Sequence, residues 1–142
     1  MSHRRTLIRP GIGPAAAVVA AALVAVLAGC GDPGPDNAGF VKDVNAHQPA
    51  EVTVQGTVTK LLADSNGPEG PHEDFDITVS GHTVEIDHNL TLAPRVPVQV
   101  GDVVVIHGQL DFDPGEILIH YTHHATDSHP GGWIKLAGHK YT

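Results

Sequence analysis

The chain has 142 residues, with 8 Lys+Arg against 16 Asp+Glu and a formal net charge of -8. Arg4, Arg5 and Arg9 fall in the first ten residues, so from Cys30 onward five basic residues face sixteen acidic ones, a charge of -11. That length holds one domain rather than two. An acidic chain with six aromatic residues is a poor phosphate binder, which argues against nucleic acid as a partner. A single cysteine excludes an intramolecular disulfide and any Cys-based zinc site.

The first elements are an address. Arg4, Arg5 and Arg9 form a positive start, and Ile12 to Leu27 is an uncharged apolar stretch rich in Ala, Val and Leu. It ends in Leu27-Ala28-Gly29-Cys30, the order of parts of a secretory signal. An ordinary transmembrane helix is the competing reading, and the run spans a bilayer only if both flanks are included. The Leu-Ala-Gly-Cys ending resembles the lipobox of bacterial lipoproteins. That resemblance implies cleavage before Cys30, diacylglycerol on its thiol and an acylated new amino terminus. Residues 1–29 are then a signal peptide, and the protein is exported and held on a cell-envelope membrane by its acyl chains. Residues 30–39, rich in Gly, Pro and Asp, read as a flexible tether. Residues 40–142 read as the folded domain.

Phe40, Val41 and Val44 recur at helical spacing, with Asn37 as a cap and Pro49 as the stop. Strand signals follow. Glu51 to Leu62 alternates, with Val52, Val54 and Val58 on one face and a bulge or bend expected at Gly56. Asp64 to Pro71 reads as loop. Phe75, Ile77 and Val79 alternate, turn at Ser80-Gly81, and continue with Val84 and Ile86. A long connection, His88 to Gly101, precedes a strand from Val103 to Phe112 with Gly108 in its middle. Asp113-Pro114-Gly115 turns into a last strand, Glu116 to Thr122. Five strands with mid-strand glycines suit a small closed sheet, and the long connection between strands three and four is where an OB-fold carries its extra element. The expected fold is all-β: a small five-stranded OB-like barrel with one short N-terminal helix. An open sheet or a sandwich is the alternative.

Gly56-Thr57-Val58, His72, the run His88 to Arg95 (HNLTLAPR), Gly101-Asp102, Ile119 to His124 (IHYTHH), His129 and Gly132-Trp133-Ile134 stand in a telling order. In that order they resemble a family of small exported bacterial proteins catalogued only as a domain of unknown function. The resemblance covers about Val52 to Tyr141 and implies no particular activity. Where the family has Gln and a basic residue, this chain has Glu73 and Asp74.

Eleven histidines stand out, nine of them in the barrel segment. His120, His123, His124 and His129 cluster near the end. On a strand, positions four apart lie about 13 Å apart, too far to share one ion. A turn after Thr122 would let His123, His124 and His129 converge on zinc; a hydrated rim of histidines is the alternative. A two-residue turn at Ser80-Gly81 puts Asp76 opposite Glu85 and Asp74 opposite Asp87. These four carboxylates suit Ca²⁺, or a solvated acidic face. The same register sets Glu73 opposite His88 at the core-facing end, as a general base or a structural pair. Asn89 follows, and Arg95 is the only arginine of the mature part, held extended by Pro94 and Pro97. Trp133 reads as core or as a stacking surface.

Three functions fit. The first is a lipid-anchored binding module whose His-rich rim (His72, His88, Asn89, Arg95, His120 and Trp133 among its candidates) takes a peptide, glycan or small ligand. The second is a metal-assisted hydrolase, of phosphate esters for instance, using His72, His88, His120, the His123-His124 pair and Arg95. The third is a structural envelope protein.

Overall fold

The computed structural model describes residues 31–142, so the leader and Cys30 lie outside the described residues. Helix α1 spans Asn37–Ala46, followed by strands β1 (Ala50–Leu61), β2 (Ser65–Gly67), β3 (Gly70–Val79), β4 (His82–Asn89), β5 (Val103–Asp113), β6 (Glu116–His120), β7 (Trp133–Leu136) and β8 (His139–Tyr141). Five of them close a barrel in the order β1-β3-β4-β6-β5, with β5 pairing back onto β1. All neighbours are antiparallel except β4 and β6, which run parallel with Ile86 against Ile119. This is the OB-like barrel that the alternation of residues implies.

The β3–β4 hairpin sets the register of the core. Ser80 and Gly81 both have positive φ (49° and 87°), the conformation of a type I′ turn. Val79 therefore meets His82, Ile77 meets Val84 and Phe75 meets Ile86. Phe75, Ile77, Val79, Val84 and Ile86 are all fully buried, together with Val54, Val104, Ile106, Leu110 and Ile119. Period-2 burial of this kind is what fixes a barrel strand, because a one-residue slip would turn each of these side chains outward.

The N-terminal segment differs from expectation in three ways. The helix cap is Asp36, whose carboxylate accepts from Gly39 N at 2.9 Å. Asn37 lies inside the helix, and its side-chain amide donates to Gln55 O and accepts from Gln55 N, each at 2.9 Å. The stretch read as a free tether is thereby docked on β1, and Asp32 pairs with Lys135 (2.8 Å) and Lys140 (2.6 Å).

Three strands were hidden in segments without a long alternating run. β2 adds to β3, and the β7–β8 hairpin adds to β5 through Trp133 opposite His107. The bulge in β1 falls between Val58 and Lys60, while Gly56 pairs in regular register with Val104. The connection from Leu90 to Val100 contains no helix.

β5 carries two partners in succession along one edge. Gln109 to Asp113 pair with β6, and Val104 to His107 pair with β7. Gly108 sits at the seam, where a Cβ would stand 2.5 Å from His120 O and 3.0 Å from an Ile119 methyl. Gly108→Ala should therefore cost about 1–3 kcal/mol through overpacking against backbone. That corresponds to a melting point lower by about 5–15 °C; an unchanged thermal melt would show that the seam is not tight.

Candidate functional site

The connection between β4 and β5 crosses one end of the barrel and is held by the residues at the end of the hairpin. His88 is fully buried. Its Nε2 lies 3.1 Å from Pro94 O, and a carbonyl only accepts, so Nε2 carries the proton. Its Nδ1 is then an acceptor, and the Thr122 hydroxyl donates to it at 2.7 Å. Both ring nitrogens are thus spent. Burial holds the imidazole below its ordinary 6.5, against the pull of the Pro94 bond, and His123, His72 and Arg95 repel the extra charge.

Glu73 stands opposite His88 in register, yet the two side chains serve different parts of the same crossover. The Glu73 carboxylate accepts from Val96 N at 2.8 Å. Burial raises its pKa, opposed first by the Val96 bond and then by Arg95. Asn89 caps the turn after β4: its Oδ1 accepts from Thr91 N at 2.8 Å, and its amide donates to Glu69 O at 3.3 Å. Arg95 forks onto Asp64 and lies 3.4 Å from Glu73 Oε1. The HNLTLAPR stretch is therefore a clasp. Of the expected ligand-binding residues, His88, Asn89 and Arg95 are occupied in holding the crossover down.

Trp133 is likewise no open stacking surface. It is 5% exposed, lies against the His107 ring and has the ammonium groups of Lys135 and Lys140 at 4.6 and 5.4 Å from its centroid.

A second constellation lies at the β5 seam. β6 stops at His120 because Tyr121 adopts a left-handed φ of 55°. The Tyr121 ring is parallel to the His120 ring at 3.9 Å and to the His129 ring at 3.8 Å. Two rings at those distances cannot share one face, so Tyr121 is sandwiched between two imidazoles. His123 is buried behind them; its Nδ1–H donates to His124 O at 2.9 Å. His129 donates through Nδ1 to Pro130 O at 2.8 Å. Burial keeps His120 and His123 below the ordinary histidine pKa, so both are neutral at pH 7. Beside the stack opens a cleft of about 200 Å³, lined by Glu51, Gly108, Gln109, Asp111, His120, Tyr121, His129, Pro130 and Gly131. His120 lines this cleft, and its Nε2 is buried without a hydrogen-bond partner, 3.8 Å from Asp111 Oδ2.

The chain does turn after Thr122, but His123, His124 and His129 pack as aromatic edges rather than as ligands. Among the described residues no three His, Asp or Glu side chains enclose an ion as they stand. Nor do the residues of the hydrolase reading share one cleft. His120 lines the seam cleft, Arg95 lines another with Asp64 and Glu73, and His72 and His88 line neither. The four-carboxylate face is present: Asp76 opposes Glu85 and Asp74 opposes Asp87. Burial raises Glu85, reinforced by Glu116, Asp74, Asp76 and Asp87. Sequence reasoning missed Tyr121, Gln109 and Asp111. Tyr121 carries a signal within IHYTHH, but only its backbone reversal places it between histidines.

The fold and its clasp define a small OB-like domain with a short helix at its start. Residues 35–142 match the family described as protein of unknown function (DUF3465), and the chain belongs to that family. No curated protein matches the sequence.

Two measurements follow from the clasp. Thr122→Val leaves His88 Nδ1 buried without a donor and should cost about 1–3 kcal/mol in a denaturant melt. Because the folded His88 binds its proton more weakly than the unfolded one, its contribution is complete above pH 6.5 and is lost as pH falls below that value. His120 and His123 act in the same direction. Glu73, Glu85 and Asp87, raised by burial, act the opposite way, so the test is a comparison: measured in chelator, wild type should lose more stability from pH 7 to pH 5.5 than His88→Gln does, and equal slopes would refute the buried neutral imidazole.

Proposed function

We propose that this protein is a lipid-anchored binding module of the bacterial envelope, and that the cleft at the β5 seam is its ligand seat. The observation that carries the reading is His120 Nε2: a buried ring nitrogen with no partner beside an open cleft. An unpaired buried polar atom costs free energy, and a ligand group that comes to pair with it would recover that cost. Glu51, Asp111 and Gln109 add acceptors to the same wall, so the chemistry suits a small ligand rich in hydroxyl or amine donors. The stacked His120-Tyr121-His129 rings give that wall a rigid shape, which limits the ordering cost of binding. An end of a glycan fits this description best, and OB-folds are known to take oligosaccharides.

The acidic outer face argues in the same direction, since it disfavours polyanions. The hydrolase alternative has no assembled set of residues behind it among the described residues. The anchor rests on Leu27-Ala28-Gly29-Cys30 alone. No helix among the described residues is long and apolar enough to cross a membrane.

Two experiments test the two halves. Cys30→Ser should move the protein from the membrane fraction to the soluble fraction of a bacterial host. An unchanged distribution removes the anchor. Envelope oligosaccharides titrated into labelled protein should shift the resonances of His120, Tyr121 and His129, and His120→Ala should weaken binding at least tenfold. Shifts elsewhere, or none from any sugar tested, would remove the glycan reading.

A further inference from the structure

The outer face of the β3–β4 hairpin holds a group of acceptors with no donor. His72, Asp74 and Asp87 lie on one face: Asp74 is directly opposite Asp87, and His72 is diagonal to it. Asp74 is only 8% exposed. Asp74 Oδ1 and Asp87 Oδ1 are both buried and lack any hydrogen-bond partner. Two carboxylate oxygens enclosed in this way are costly, because each has lost water and gained nothing.

The histidine sharpens the point. His72 Nδ1 is 3.0 Å from Gly70 O, and a carbonyl cannot donate, so Nδ1 carries the proton. In the neutral ring Nε2 then presents a lone pair. It faces Asp87 Oδ1 at 3.6 Å, beyond a hydrogen bond. His72 Nε2 and Asp87 Oδ1 therefore face each other with no donor between them, the unpartnered Asp74 Oδ1 belongs to the register partner of Asp87, and a cation would serve all three.

We propose that His72, Asp74 and Asp87 form a site for a divalent first-row metal ion, with zinc as the type. Imidazole nitrogen and carboxylate oxygen bind zinc at about 2.0–2.2 Å. Neighbouring ligand atoms of a tetrahedron with such bonds lie about 3.4 Å apart, close to the observed 3.6 Å between His72 Nε2 and Asp87 Oδ1. Asp74 joins them by rotating its carboxylate, since it is the register partner of Asp87. Water fills the fourth position, as in zinc sites with three protein ligands. Nδ1–H bonded to Gly70 O is the outer-shell support that fixes a ligating ring. The site is separate from the seam cleft and stands whether or not that cleft binds sugar.

The test uses the full chain stripped with chelator and zinc chloride as the probe. Wild type should gain about 5–10 °C in melting temperature at zinc well above its dissociation constant. Equilibrium dialysis should give one ion per chain. Asp87→Asn and His72→Gln should each lose at least tenfold in zinc affinity. In chelator Asp87→Asn should melt no lower than wild type, because it removes one of two opposed charges. That behaviour separates a lost ligand from a broken fold. No thermal gain in wild type overturns the proposal. A gain that survives in both variants places zinc on the other histidines and overturns it equally.

Discussion

The hydrogen bond from the Thr122 hydroxyl to His88 Nδ1 is the constraint on which the rest of the domain depends. It joins the end of β4 to the chain leaving β6, two segments already brought parallel by the Ile86–Ile119 pairing. The opposite nitrogen of the same ring holds Pro94. One imidazole thus ties the closing strand of the barrel to the crossover that spans its end. Such a group has little freedom to change. With one proton and two partners of opposite kind, neutral imidazole matches both, whereas most replacements leave one of them unsatisfied. This gives a structural reason for histidine at this position that requires no catalysis.

The seam cleft follows from a different constraint, the sharing of one strand edge. β5 is long enough for β6 and β7 to use it in turn, and the chain between them leaves the sheet after His120, beside Gly108 of β5. Tight packing of Gly108 against His120 O and Thr122 leaves no room for a side chain there. The positive φ of Tyr121 then turns the outgoing strand away, and the Tyr ring comes to rest between His120 and His129. The cleft is therefore built by backbone geometry, with its polar groups supplied by the neighbouring strands β1 and β5.

Much of this architecture was legible in the chain. Period-2 burial, a two-residue Ser-Gly turn and the glycines inside long strands fixed five strands, their faces and the whole β3–β4 register. That register also placed the four carboxylates correctly. What it could not show was where side chains go beyond their own pair. Glu73 and His88 do meet in register, but each bonds the crossover rather than its neighbour: Glu73 takes the Val96 N–H and His88 the Pro94 carbonyl. β2 and β8 have three residues each and no alternating run. β7 alternates Trp133 and Lys135 with Ile134 and Leu136, yet its turn is Ala137-Gly138, a weaker signal than Asn-Gly. Trp133 was ambiguous for a related reason: the cations that cover it come from the missed hairpin.

The structure sets an imidazole nitrogen against a carboxylate oxygen just out of hydrogen-bond reach in two places, and the difference between them decides what each can do. At the seam, His120 Nε2 is 3.8 Å from Asp111, whose side chain is half exposed. Water can satisfy that carboxylate, so only the ring nitrogen is left without a partner, and a single hydrogen bond from a neutral ligand would be enough. On the hairpin, the His72 lone pair is fixed by Gly70, and Asp74 and Asp87 each keep a carboxylate oxygen out of water's reach. A neutral donor could serve one acceptor there but not three. On the proposed reading the hairpin therefore calls for a cation, while the seam calls for a hydrogen-bonding ligand. The two places are thus chemically distinct although their residue types are nearly the same, and the buried carboxylate oxygens of the hairpin are what separate them.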